Sequence, residues 1–108
     1  MSGFATTLAP DAAELAARWL RSLKAERRAS ALTIESYARD LSQFAAFLLD
    51  HLGGPAGNGD LATLTPSDFR AFLAHRRNGG VENRTLARQL SALRTFYRFA
   101  ERTGHFRN

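Results

Sequence analysis

The chain has 108 residues, of which 44% are hydrophobic and 23% are charged, a composition typical of one compact globular domain. It contains no cysteine, which excludes disulfides, thiolate zinc sites and cysteine nucleophiles. No apolar run approaches the roughly 20 residues that span a bilayer, and the N-terminus has no secretory leader, so we expect a cytoplasmic protein.

The net charge of +5 is distributed unevenly along the chain. Residues 1–69 contain six basic and eight acidic side chains, whereas residues 70–108 contain nine arginines and only two glutamates. The two parts therefore carry −2 and +7. Such a basic surface indicates a polyanionic partner, with nucleic acid favoured over an anionic membrane. The preference for arginine over lysine is explained equally well by genomic base composition.

Apolar residues recur at spacings of three and four, which predicts an all-α domain of four helices, with room for one short extra helix. The first helix is predicted from about Pro10, since proline suits the first helical position, to Arg27. Its apolar stripe consists of Ala12, Leu15, Ala16, Trp19, Leu20 and Leu23.

The second helix is predicted to begin after Ser30, whose hydroxyl can accept a backbone N–H of the first turn, and to end near His51. Its apolar stripe consists of Ile34, Tyr37, Leu41, Phe44, Ala45, Leu48 and Leu52. A glycine-rich segment follows, and we expect residues 53–60 to form a flexible polar loop.

The third helix has the clearest start signal, with Thr65 as the N-cap, Pro66 in the first position and Asp68 in the first turn. Its inward face is predicted to contain Phe69, Phe72 and Leu73, and its end lies at Asn78-Gly79-Gly80. The fourth helix is predicted from Glu82 or Asn83 to about Thr103, with Gly104 as the stop. Residues 1–108 are thus predicted to form a single domain with ordered helices over about 10–104.

The fourth helix has two contrasting faces. A core arc is predicted for Leu86, Leu90, Leu93, Tyr97 and Ala100, with Phe96 at its edge and Phe99 pointing away. The opposite ridge consists of Arg84, Arg88, Ser91, Thr95, Arg98 and Arg102. Like charges four residues apart repel, and a phosphate partner would relieve that repulsion. A solvated face that is merely basic is the alternative interpretation.

No residue pattern predicts catalysis or metal binding. His51, His75 and His105 stand singly, and no glycine-rich phosphate motif is present. Tyr37 and Tyr97 lie on apolar stripes, which indicates packing. Asp40 is interpreted as a surface acid, and Asp68 as a first-turn acid. We therefore predict no catalytic residue, no metal and no cofactor in this chain.

Three segments together resemble one known family. They are Ser30–Thr33 with Tyr37, Arg39–Leu41 and Phe44; Leu64–Phe69; and Arg84–Tyr97. In this order and spacing they resemble the N-terminal SAM-like, core-binding domain of tyrosine recombinases of the phage integrase family. Two departures are a longer loop at Gly53–Gly59 and Glu82 where the family often has a serine cap.

The resemblance implies that the chain binds double-stranded DNA at a recombination core site, while the catalytic residues lie in a C-terminal domain. It also implies a second recombinase as partner and no membrane association. The family positions that face the major groove correspond to Thr33, Ser36, Arg39, Arg84, Thr85, Arg88 and Ser91. Arg98 and Arg102, further along the ridge, are predicted secondary phosphate contacts.

Two other functions are compatible with the residues alone. A stand-alone helical DNA-binding regulator would place the arginine-rich helix in the major groove after the break at Gly79-Gly80. A SAM-like protein-interaction module without a nucleic-acid role would instead be expected to carry a mixed-charge or apolar docking patch.

Overall fold

A computed structural model describes residues 7–108 of the chain. Within that range the fold is all-helical, as predicted. The helices are α1 (Pro10–Ala25), α2 (Ala31–Leu52), α3 (Asn58–Thr63), α4 (Pro66–Asn78) and α5 (Asn83–Arg102). None of the helices in the described range has the length and apolarity that a membrane crossing requires.

Local signals account for the helix ends. The Ser30 hydroxyl accepts a hydrogen bond of 3.1 Å from the backbone N–H of Thr33, as its N-cap position predicts. Between α1 and α2 the chain turns through Arg28, which has a left-handed φ of 51°. Helix α2 ends at Gly53, whose φ of 82° is readily available to glycine.

The predicted loop is shorter than expected, because helix α3 begins at Asn58. The Asp60 carboxylate accepts a hydrogen bond of 2.9 Å from the backbone N–H of Gly57 and so caps this helix. The preceding segment is paired with the chain before α1, where the N–H of Ala9 donates to the carbonyl of Ala56 at 2.9 Å. Of the predicted loop 53–60, only residues 53–57 are therefore non-helical, and their flexibility stays a prediction.

Helix α4 begins with the predicted cap. The Asp68 carboxylate accepts the backbone N–H of Thr65 at 2.7 Å, and the Thr65 hydroxyl accepts the N–H of Asp68 at 3.4 Å. On its other oxygen, Asp68 lies 2.8 Å from the imidazole Nε2 of His51. The cap of α4 is thereby joined to the C-terminal turn of α2.

Helix α5 packs against α1, α2 and α4, and its Phe96 occupies the centre of the core. The Phe96 ring meets the Trp19 ring edge-on at 5.3 Å between centroids. Phe44 of α2 meets Phe72 of α4 in the same manner at 5.0 Å. These four aromatic side chains are all essentially inaccessible to solvent.

The predicted core face of α5 is only partly correct. Leu86, Leu93 and Ala100 are buried as predicted, but the centre of the buried face lies roughly 70° from the predicted one at 100° per residue. Phe96 and Phe99 are buried, whereas Leu90 is only half-buried. The buried Gln89 interrupts the apolar pattern on this face, which explains the misplaced arc. At the end of α2, Leu52 is likewise 42% exposed and does not belong to the core.

Candidate nucleic-acid interface

The solvent face of α5 presents arginines along its whole length. Arg84, Arg94, Arg98 and Arg102 are exposed, while Ser91 and Thr95 are half-buried beside them. Among residues 7–108, no carboxylate lies within 4.0 Å of the guanidinium groups of Arg84, Arg94 or Arg98. These three charges are therefore available to an anionic partner.

Arg94 is the residue that the sequence argument missed. In the predicted orientation of α5, Arg94 lies too close to the core arc to be assigned to the opposite ridge. Once Phe96 and Phe99 define the buried side, Arg94 falls on the exposed face with Arg98. The two phenylalanines three residues apart are the signal that could have revealed it.

Arg88 differs from the other arginines of α5, and the prediction for Asp40 is wrong. Its Nε and Nη2 groups donate to the two oxygens of Asp40 at 3.0 and 2.6 Å. Asp40 is completely buried, so it is not a surface acid. The hydrogen bond to Asp40 raises the pKa of Arg88 above its ordinary value.

A polar network supports the same junction of helices. Arg76 of α4 donates to the side-chain carbonyl of Gln43 at 2.9 Å and to that of Gln89 at 3.3 Å. The Gln89 amide in turn donates to Gln43. Because Gln89 is fully buried, these bonds satisfy a polar group that would otherwise destabilise the core.

The first two turns of α2 and Arg88 of α5 form an open groove of about 310 Å³. It is lined by Leu32, Thr33, Ser36, Tyr37 and Arg88. Three of the predicted contact residues, Thr33, Ser36 and Arg88, are thus brought together. Leu32 stands at the groove with 75% of its surface exposed.

The other predicted contact residues do not line the groove. Arg39 is exposed on α2 and lies 4.0 Å from Glu35, whereas Thr85 and Ser91 are half-buried on α5. Arg84 is exposed near the N-terminus of α5. Exposed ion pairs such as Arg39 with Glu35 contribute little to stability and are easily exchanged.

Arg98 and Arg102 lie at the opposite end of α5, beside α1. They line a small notch of about 20 Å³ together with Trp19 and Arg27. Arg102 lies 3.4 Å from Glu26 and stacks over the Phe99 ring at 5.4 Å. The buried indole N–H of Trp19 has no hydrogen-bond partner within residues 7–108.

The two tyrosines pack against the core, as predicted. The Tyr97 hydroxyl donates to the carbonyl of Leu61 at 3.0 Å, and Tyr37 stacks on Trp19. Burial, followed by the nearby charge of Asp68, raises the pKa of Tyr97 far above its ordinary value. In the part of the chain that the structure describes, no three histidine or acidic side chains are grouped as a metal site.

A family model for the phage integrase N-terminal SAM-like domain matches residues 16–104. The chain belongs to this family. The family inferred from the three segments is therefore confirmed, and so is the SAM-like helical fold. The match refers to the N-terminal domain of the family.

Three similar proteins share one name, tyrosine recombinase XerC. The protein of Rhizobium meliloti (strain 1021) is 52% identical over 81% of this chain and 27% of its own length. The Mesorhizobium japonicum protein is 46% identical over 96% of the chain and 33% of its own length. The Methylobacterium nodulans protein is 50% identical over 90% and 30%, respectively. The chain thus spans about a third or less of these relatives. No solved structure matches it.

Proposed function

We propose that this chain is the DNA-binding domain of a XerC-like site-specific tyrosine recombinase. In this role it binds the core site of double-stranded DNA, and catalytic residues located C-terminal to it cut and rejoin the strands. The whole protein would act with a second recombinase of the XerD type to resolve chromosome dimers at cell division. The chain alone would bind DNA without cleaving it.

The observation that carries the proposal is the one-sided charge of α5. Three exposed guanidinium groups, those of Arg84, Arg94 and Arg98, have no carboxylate within 4.0 Å among residues 7–108. Arg94 and Arg98 are four residues apart, and the repulsion between their charges is unfavourable until an anion neutralises it. The regularly spaced phosphates of duplex DNA provide such neutralisation, and counterion release adds to the binding free energy.

The proposed contacts come from two helices. On α2 they are Thr33, Ser36 and Arg39. On α5 they are Arg84, Thr85, Arg88 and Ser91, with Arg94, Arg98 and Arg102 as secondary phosphate contacts. Support for combining the helices comes from the groove in which Thr33, Ser36 and Arg88 meet. Hydroxyl groups beside arginine supply both donors and acceptors to a nucleic-acid surface.

A salt titration tests this function. Binding of the chain to a fluorescently labelled duplex is measured by anisotropy between 50 and 300 mM NaCl. If four or five arginines contact phosphates, log K should fall against log salt with a slope of about −4, since each contact contributes about −0.9. Arg84→Ala should weaken binding by roughly 1–3 kcal/mol and make the slope shallower by about one.

Arg70→Ala is the matched control, because Arg70 is an exposed arginine on α4 outside the proposed face. This variant carries the same change in net charge and should retain the affinity and slope of the unmodified chain within error. Equal effects of Arg84→Ala and Arg70→Ala would contradict the assigned face. Absence of salt-dependent binding to any duplex would favour the protein-interaction module instead.

A further inference from the structure

The Asp40–Arg88 pair does not resemble an ordinary phosphate contact. Asp40 is completely buried in the middle of α2. Within residues 7–108, Arg88 is the cation that forms an ion pair with its carboxylate. The side chain of Arg88 is nevertheless 40% exposed at the groove. One edge of the guanidinium is therefore hydrogen-bonded to Asp40, while another edge faces the solvent.

Three N–H donors of the Arg88 guanidinium remain available to a ligand. A guanidinium has five N–H donors, and Asp40 uses the Nε donor and one Nη2 donor. The second Nη2 donor and both Nη1 donors remain. One Nη1 and one Nη2 donor form a parallel fork at the end of the side chain. Such a fork matches the O6 and N7 acceptors of guanine in the major groove.

The charge of the pair argues against a simple phosphate role. Asp40 neutralises Arg88 at close range, so the pair adds little to the long-range attraction of a polyanion. Arg84, Arg94 and Arg98 have no such partner and suit phosphates better. A buried ion pair is also weak support for stability, because the desolvation of Asp40 offsets much of the attraction. If Asp40 positions the guanidinium of Arg88, both the neutralised charge of Arg88 and the burial of Asp40 are explained.

We propose that Asp40 positions Arg88 as a fixed reader of a guanine edge, and that the exposed Leu32 beside it contacts an adjacent thymine methyl group. This inference rests on the proposed DNA binding and assigns base readout to one groove of that surface. Fixing the guanidinium before binding lowers the conformational entropy lost on recognition. Leu32 supplies the apolar contact that distinguishes thymine from cytosine.

The test compares base preferences. The unmodified chain and its variants are each used to enrich a library of random-sequence duplexes, and the bound sequences are counted. We expect the unmodified chain to prefer guanine at one position by roughly 5- to 150-fold. Arg88→Lys, which keeps the charge but loses the fork, should reduce that preference to less than about threefold. Leu32→Ala should relax only a neighbouring thymine preference.

Asp40→Asn separates positioning from charge. It raises the net charge by one, so affinity for random duplex should stay equal or increase, whereas the guanine preference should fall. Circular dichroism shows whether the variant is folded. If it is not, Arg88→Lys, which keeps a cation beside the buried Asp40, and Leu32→Ala, which changes an exposed side chain, still decide the inference. Arg98→Ala is the control, and it should weaken all sequences equally while making the salt slope shallower by about one.

Two outcomes would overturn the inference while DNA binding stands. In one, the unmodified chain binds duplexes without a guanine preference. In the other, Arg88→Lys keeps the preference, and Arg88→Ala changes the salt slope as Arg98→Ala does, which would make Arg88 a phosphate contact. Failure of the unmodified chain to bind any duplex at low salt would instead overturn the proposed function itself, and the base-reading role with it.

Discussion

The hydroxyl group of Tyr97 is used within the fold. It donates a hydrogen bond of 3.0 Å to the carbonyl of Leu61 and so connects α5 to α3. An ordinary tyrosine is already neutral near neutral pH, and burial raises the pKa of Tyr97 still further, which disfavours its phenolate. A nucleophilic tyrosine requires exposure to substrate and several converging cations that stabilise the developing charge. Tyr97 is therefore a structural residue.

Tyr97→Phe should lower the free energy of unfolding by about 0.5–1.5 kcal/mol, because the Leu61 carbonyl loses the shorter of its two side-chain hydrogen bonds and keeps the one from Asn108. Urea unfolding followed by circular dichroism measures this. Tyr37→Phe is the control, since the Tyr37 hydroxyl makes no hydrogen bond within residues 7–108, and its effect should be near zero. A loss of the same size in both variants would show that the hydroxyl of Tyr97 is not the cause.

At the scale of one element, the cap of α4 links stability to pH. The backbone N–H of Thr65 and then the imidazole of His51 lower the pKa of Asp68 below its ordinary value. A lowered pKa in the folded state means that the stabilisation is complete above the unfolded value of about 4 and is lost as pH falls through the folded value. The cap therefore weakens in acid.

Asp68→Asn should reduce stability at pH 6 and flatten its decline between about pH 4 and pH 2, because the ionised cap is absent at every pH. Thermal melts across this range provide the measurement. Glu14→Gln removes an exposed carboxylate of α1 and serves as the control, which should keep the unmodified pH profile. A parallel shift of the Asp68→Asn curve without flattening would contradict this interpretation.

The orientation of α5 makes a second prediction at the element scale. Phe96→Ala should destabilise the domain by about 3–5 kcal/mol, because Phe96 is completely buried against Trp19. Leu90→Ala should cost only about 1–2 kcal/mol, since Leu90 is half-buried at the surface. Chemical denaturation of the two variants compares them directly. Equal losses would place Leu90 in the core and contradict the observed rotation.

At the scale of the whole molecule, the last residues return to the middle of the chain. Phe106 packs on Tyr97 with 5.5 Å between ring centroids. The side-chain amide of Asn108 donates to the carbonyls of Leu61, Ala62 and Leu64 at 3.2, 2.9 and 3.0 Å. These carbonyls belong to the end of α3, which has no further turn to satisfy them. The tail thus caps a short helix from 44 to 47 residues away.

Asn108→Ala should increase hydrogen–deuterium exchange in α3 and in residues 104–108 together, because each holds the other in place. The change in global stability should be no more than about 1 kcal/mol. Arg107→Ala is the neighbouring control, since the one ion pair of Arg107 within residues 7–108 is with the exposed Glu101. Faster exchange in the tail alone would mean that α3 does not depend on this cap.

The helix boundaries follow from local sequence, and so they were predictable. The cap at Thr65 and the glycine at the end of α4 identify Pro66–Asn78, because each end depends on hydrogen bonds within about four residues. The family was also recognisable, since three short segments keep their order and spacing. Helix α3 was not located, because six residues containing a glycine carry no apolar period.

The rotation of α5 and the partner of Arg88 were decided only by the tertiary structure. Leu90 and Phe96 are both apolar and lie on neighbouring stripes, so periodicity alone does not determine which is buried. Asp40 and Arg88 are separated by 48 residues and meet only because α2 packs against α5. Capping is a short-range interaction between neighbours in the chain, whereas packing and ion pairing depend on how all the helices share one core.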